Sequence, residues 1–325
     1  MIQALNVPVL YDKLNMKKKE GRTMDKITFS SDPDGFYGIY YPCPSLSQYA
    51  MILMIGHSVD NPLVTVMVRW LHRQGCNVLA LSSVPEDKGY HCFPLKSVLR
   101  AVRWLKKGND KVGITGASFT GMIALAAASV CPDITLTAAF TPCDFVAEGF
   151  IRDGLDHSME RPSGTSSLMW EGKELDYLPY VYRHPDYDRK LKEESGQTGN
   201  LVASRNMFDL SEKNSPLTEQ QKIKVERITG TLVLVGAEDD CLWDSCRYIR
   251  RMKKRLDSHD HSCRLHCFCY DKGTHFLFPQ KMLKMGSGLP ALVFRSGREN
   301  IMECRKSRID LERKMTTVIR QWKRI

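Results

Sequence analysis

With 325 residues, 42% of them hydrophobic and 26% charged, the chain has the composition of a soluble globular protein and room for one large domain or two small ones. No apolar run is long enough to cross a bilayer, and the opening stretch MIQALNVPVLYDKLNMKKKEGR puts its basic cluster after the mildly apolar residues, unlike a secretory signal. The expectation is a cytoplasmic protein with no membrane contact, its eleven cysteines, an odd number, held as reduced thiols.

After an N-terminal extension over 1–25, the rest of the chain, 26–325, reads as one domain. KITFSSDPDGFYGIYYP gives two strands around an Asp-Pro-Asp-Gly turn, because Asp and Gly tolerate the turn's dihedrals and 36–41 has strand composition. YAMILMIG is a buried strand. The helix NPLVTVMVRWLHRQG starts near Pro62, keeps Val64, Met67, Val68 and Leu71 on one face, and stops at Gly75. Next come a strand at NVLALSSV and FPLKSVLRAVRWLKKG, where Leu95, Val98, Leu99, Val102 and Leu105 recur at helical spacing. KVGITG then leads into an apolar helix over 122–130. The strands ITLTAAF, GTLVLVGAEDD and CRLHCFCY follow, with a helix from about Trp243 and a final helix aligning Leu311, Met315, Val318 and Trp322. Such alternation implies an α/β fold, with a mostly parallel sheet covered on both faces that binds ligands outside the carboxyl ends of its strands.

The segment over about 144–227 breaks this rhythm. It is polar, rich in Gly and Pro, carries Trp170, Tyr177, Tyr180 and Tyr182, and has no clear period. An insertion of this length at the carboxyl end of a strand reads as a lid over a substrate.

The turn GITGASFTGM joins a strand to a helix and squeezes Ser118 between small residues. In such a turn a serine is held in a strained conformation, with its hydroxyl above the sheet edge and the next N–H aimed at the same spot. A serine nucleophile needs an imidazole to take its proton and a carboxylate to orient the imidazole. In this sheet class the chain order is serine, acid, histidine. VGAEDDCLW supplies Asp239 or Asp240 past one strand, and DKGTH supplies His275 past the next. His57 lies at the end of an earlier strand, whereas His261 and His266 sit at the start and middle of theirs. For an oxyanion, Phe119 N–H is one donor, and the loop IGHSVDNP offers Ser58 N–H, with Val59 as its neighbouring alternative.

The net charge of +10 raises nucleic acid, anionic surfaces and phosphate-bearing substrates. Its densest stretch, RYIRRMKKRLDSH, aligns Ile249, Met252 and Leu256 on one helical face and reads as a solvated amphipathic helix. No nucleic-acid motif accompanies it. His261, Cys263, His266, Cys267 and Cys269 cluster in sequence, but they alternate as in a buried strand and lack a paired C-x-x-C module, so no metal or cofactor is expected.

On GHSVDNP, NVLALSSV, GITGASFTG, VGAEDDCLWDS and GTH, the chain from about Tyr49 onward resembles the α/β-hydrolase fold. More narrowly it is similar to the C-terminal catalytic domain shared by acyl-CoA thioesterases and bile acid-CoA:amino acid N-acyltransferases. The resemblance makes the acid the second aspartate of the pair, Asp240, three residues before Trp243. It also implies that Ser118 belongs with the thioesterase branch, since the acyltransferases carry cysteine there. Thr120 stands at the family's second elbow glycine, where a β-branched residue is expected to widen the turn or add strain. The implied activity is hydrolysis of an acyl-CoA thioester by Ser118, Asp240 and His275. The alternatives are an esterase of the dienelactone-hydrolase type on a small ester, and a hydrolase-like binding protein with weakened chemistry.

Overall fold

Strands buried on both faces need helices on both sides, and the chain supplies them in alternation. The computed structural model describes residues 26–56, 59–83, 89–152, 160–282 and 293–324; the extension over 1–25 lies outside them. In chain order the strands are β1 (Ile27–Phe29), β2 (Gly38–Tyr41), β3 (Tyr49–Met54), β4 (Asn77–Leu81), β5 (Phe93–Pro94), β6 (Lys111–Ala117), β7 (Ile134–Phe140), β8 (Glu148–Arg152), β9 (Glu160–Ser166), β10 (Leu168–Trp170), β11 (Lys173–Glu174), β12 (Thr231–Ala237) and β13 (Arg264–Tyr270). The main helices are α1 (Pro62–Arg73), α2 (Leu95–Lys106), α3 (Phe119–Ala128), α4 (Tyr187–Thr198), α5 (Arg205–Asn214), α6 (Ser245–Asp257) and α7 (Ile301–Arg324).

Eight strands form the main sheet in the order β1-β2-β4-β3-β6-β7-β12-β13. β1 and β2 pair antiparallel, β2 pairs antiparallel with β4, and every pairing from β4 to β13 is parallel. Successive residues of one strand feed opposite faces. Ala50, Ile52 and Met54 of β3 face the core that α2 and α3 cover, which continues under β12 to α6. Met51 and Leu53 pack with α1 and with Leu311, Met315, Val318 and Trp322 of α7. α1 starts as its sequence predicts, with Pro62 in the first turn and the Asn61 side chain accepting from Val64 N–H at 2.8 Å. α3 is buried all round, because the segment between β7 and β12 covers its outer side.

Register brings the strand ends to one edge. Met54 pairs with Gly116, Ala117 with Phe140, Phe140 with Val235, and Ala237 with Tyr270. Ser118, Asp240 and His275 each follow within a few residues of these ends.

The segment over 144–227 has more structure than its composition announces. It holds an antiparallel β8–β9 pair, strands β10 and β11, which form a small sheet with β5 from earlier in the chain, and helices α4 and α5. At its centre Glu148, fully buried, accepts from the N–H groups of Gly164 at 2.8 Å and Tyr180 at 2.7 Å, and pairs with Arg183 at 2.5 Å.

Two expectations are corrected here. The strand CRLHCFCY is not buried: β13 is the sheet's edge strand, half-exposed along most of its length, because no strand among the described residues lies beyond it. The basic face of α6 is not simply solvated. Ile249, Met252 and Leu256 do face the core, but Arg247 pairs with Asp209 and Glu212, Arg251 with Asp144 and Glu212, and Arg255 with Glu219 and Glu226. All these carboxylates come from the insertion, whose spacing in sequence hides the pairing.

Asp144 is buried and held by Arg251 through two bonds, at 2.7 Å to Nε and 2.5 Å to Nη2. Replacing Arg251 strands that charge, so Arg251→Leu should lower the unfolding free energy by about 3–5 kcal/mol, against less than about 1 kcal/mol for Arg250→Leu, whose partner Glu238 is exposed. Urea midpoints of both variants check this. Hydrogen bonds from Lys222 and then Arg255 hold the Glu219 carboxyl down from its ordinary 4.5 to about 2. Its contribution is therefore fully present above pH 4.5 and lost as pH falls toward 2. Amide exchange around Glu219 should accelerate across that window, and Lys222→Ala should weaken the dependence.

Candidate active site

Ser118 leaves β6 with φ 57° and ψ −126° and begins α3 as its N-cap. A non-glycine residue at such a φ is costly, of order 1–3 kcal/mol, and persists only where its surroundings fix it. Three contacts do so. Ser118 N–H donates to the Phe140 carbonyl of β7 at 2.8 Å. A Cβ on Gly116 would collide with the Thr120 carbonyl, so only glycine lets the turn close. Thr120 Oγ1 lies 2.6 Å from the Met54 carbonyl and 2.9 Å from that of Ala117, and accepts from Ala117 N–H at 3.0 Å. The threonine therefore does not widen the turn: its hydroxyl ties the turn to the end of β3, and its side chain is buried.

His275 and Asp240 come together as the order of strands predicts. His275 Nδ1 lies 2.9 Å from both carboxylate oxygens of Asp240, and both residues are buried. Leu242 N–H donates to Asp240 Oδ1 at 3.0 Å, and Arg205 Nη1 donates to the Asp240 carbonyl at 3.0 Å. His275 Nε2 has no hydrogen-bond partner among the described residues, so the imidazole and the Ser118 hydroxyl are not bonded to each other in this state. Such contacts commonly tighten only when substrate is bound.

Asp239 points elsewhere. Its carboxylate accepts from Gly273 N–H at 3.0 Å and from the Ser296 hydroxyl, with Lys272 Nζ at 3.7 Å. Burial pushes its carboxyl above the usual range against these bonds. It braces the loop that carries His275. Next to Asp240, burial and then the Asp240 charge push the Cys241 thiol well up, so it stays protonated and unreactive.

As first residue of α3, Phe119 has an N–H without an intrahelical acceptor, at the positive end of the helix dipole. Ser58 and His57 lie outside the described residues. Val59 is buried, and its carbonyl accepts from Tyr41 Oη at 2.8 Å. His261 precedes β13 and His266 is its third residue, both away from its carboxyl end, and among the described residues no three His, Cys, Asp or Glu side chains gather as a metal site would require.

Spacing gave no sign of the ring path that crosses the site. Phe119 lies 6.0 Å from Phe150, which stacks at 5.0 Å on Tyr180; Phe208 follows at 5.2 Å, Trp243 at 5.1 Å, and His275 at 5.2 Å. Phe150, Tyr180 and Phe208 all come from the insertion.

The strand order, the strained serine turn and the buried Asp–His pair define an α/β-hydrolase. Residues 100–282 match the family described as BAAT / acyl-CoA thioester hydrolase C terminal, more than half of the chain, and the chain belongs to that family. It is a hydrolase of the acyl-CoA thioesterase and esterase class, acting on a small-molecule ester or thioester. A comparison with curated protein sequences finds no match. Among solved structures, a puromycin hydrolase is 11% identical at a TM-score of 0.50, over 93% of this chain and 39% of that one. An esterase from Pyrococcus furiosus is 11% identical at a TM-score of 0.49, over 96% of this chain and 93% of that one. An esterase from Pyrobaculum calidifontis is 14% identical at a TM-score of 0.45, over 95% and 89%. At such identity the likeness to the first is one of fold.

The Thr120 hydroxyl gives a direct check on the turn. Thr120→Val keeps the shape but leaves the Ala117 N–H and the Met54 carbonyl without that partner, and should cost about 1–3 kcal/mol of stability, whereas Thr120→Ser should stay near the native value. Denaturation midpoints of the two variants decide it.

Proposed function

We propose that the protein is an acyl-CoA thioesterase in which Ser118 attacks the thioester carbonyl, His275 takes the serine proton and later delivers it to the leaving thiol, and Asp240 orients the imidazole. The observation that carries this reading is the buried His275–Asp240 pair, which engages Nδ1 and leaves Nε2 unpartnered on the sheet edge where Ser118 is strained outward. Backbone N–H groups of Phe119 and Ser58 hold the oxyanion. The acyl-enzyme is then hydrolysed by water that His275 activates. Family membership supports the thioester as substrate.

On this reading the insertion over 144–227 is the lid of a single domain, 26–325. Support comes from the rings it lays between Phe119 and Trp243 and from its arginine contacts with α6. A cytoplasmic setting agrees with eleven free cysteines.

Release of free CoA from acyl-CoA esters of graded chain length tests the substrate. Turnover of at least one member, abolished by Ser118→Ala, is expected. Hydrolysis of p-nitrophenyl esters with no CoA release would instead move the protein to the oxygen-ester reading. The aspartates separate on the same assay: Asp240→Asn should lower kcat by up to about 10⁴-fold with the fold intact, because the histidine loses its orienting charge. Asp239→Asn should cost far less. A folded but inactive Asp239 variant beside an active Asp240 variant would shift the acid by one residue.

A further inference from the structure

His275 lies in a loop with no helix or strand to fix it. Its Nδ1 contact with both Asp240 oxygens holds one edge of the ring, but a ring held at one edge can still swing about that contact. The remaining restraints converge on a residue with no evident part in the chemistry. Thr141, fully buried just past β7, has φ 42°, a left-handed conformation in which a β-branched side chain is an outlier. All three of its hydrogen-bonding groups are used. Its N–H donates to the Val235 carbonyl of β12 at 2.6 Å. Its Oγ1 donates to the His275 carbonyl at 3.0 Å. Its own carbonyl accepts from Trp243 Nε1 at 2.9 Å. The Trp243 ring in turn stands nearly perpendicular to the imidazole, at 78° and 5.2 Å between centroids.

From these contacts we infer that Thr141 is a positioning residue for the histidine: through its hydroxyl it fixes the His275 backbone, and through Trp243 it limits the swing of the ring, so that Nε2 stays aimed across the strand ends. Strain at a buried β-branched residue is expected where the surrounding structure demands that conformation. Here the left-handed turn at Thr141 sends its N–H, hydroxyl and carbonyl to three different elements, which ordinary strand geometry would not do. The inference rests on His275 being the base.

Thr141→Val tests it, because valine has the same shape and the same strain and lacks only the hydroxyl. With p-nitrophenyl butyrate as probe, kcat should fall about tenfold or more with KM little changed, and the rate of fluorophosphonate labelling of the serine should fall in parallel. Thr141→Ser, which restores the hydroxyl, should return kcat to within about threefold of the native protein. Trp243→Phe keeps a ring but loses the N–H bond, and should lower kcat in the same way; combined with Thr141→Val its effect should be less than additive, as for residues acting as one unit. If Thr141→Val does not fold, the serine variant and Trp243→Phe still decide: native kcat in Trp243→Phe, or no return of activity in Thr141→Ser, overturns the inference. Native kcat in a folded Thr141→Val also overturns it. The control is His275→Ala: if that variant keeps its activity, the reading of the base itself fails, and the inference falls with it for a distinguishable reason.

Discussion

The backbone at Ser118 turns out of the central strand at φ 57°, and the nearby structure is arranged to make that turn possible. Gly116 gives up its side chain so that the first turn of α3 can close over β6. The Phe140 carbonyl takes the serine N–H, and Thr120 bridges the turn to the end of β3. The strain, a few kcal/mol at most, is small beside the burial of α3 on every side. It leaves the half-buried Ser118 beside a helix N-terminus able to stabilise negative charge.

The insertion is bound to the sheet by two different kinds of force. Its aromatic residues join the core that covers α3 and reach from Phe119 to Trp243. Its carboxylates meet three arginines one turn apart on α6. The first contribution is insensitive to salt and modest changes of pH, while the second weakens as carboxylates protonate. Together they keep the insertion over the serine side of the sheet without making it part of the sheet.

Much of the framework was legible in the sequence because parallel strands and their helices leave strong periodic signals. Val64, Met67, Val68 and Leu71 lie on the buried face of α1 as their spacing implies, and the order of Ser118, Asp240 and His275 follows from the order of strand ends. Sequence was poor at what depends on distant partners. It could not tell that β13 would pair on one side alone among the described residues, so its alternating cysteines looked buried. It gave Arg247, Arg251 and Arg255 to solvent because their partners are 29–39 residues away or more. The strands of the insertion are short and carry buried polar groups such as Glu148, which no apolar period reveals. Thr120 was read by its bulk, whereas its effect comes from its hydroxyl.

The central claim is that the strained hydroxyl of Ser118 forms a covalent acyl intermediate. Mass spectrometry of the protein quenched during turnover of a slowly hydrolysed acyl substrate, followed by peptide mapping, tests this most directly. The account predicts a mass increase equal to one acyl group, located on Ser118 and accumulating when His275 is altered so that deacylation slows more than acylation. Turnover without any acylated protein, or an acyl group mapped to one of the cysteines instead, would contradict it.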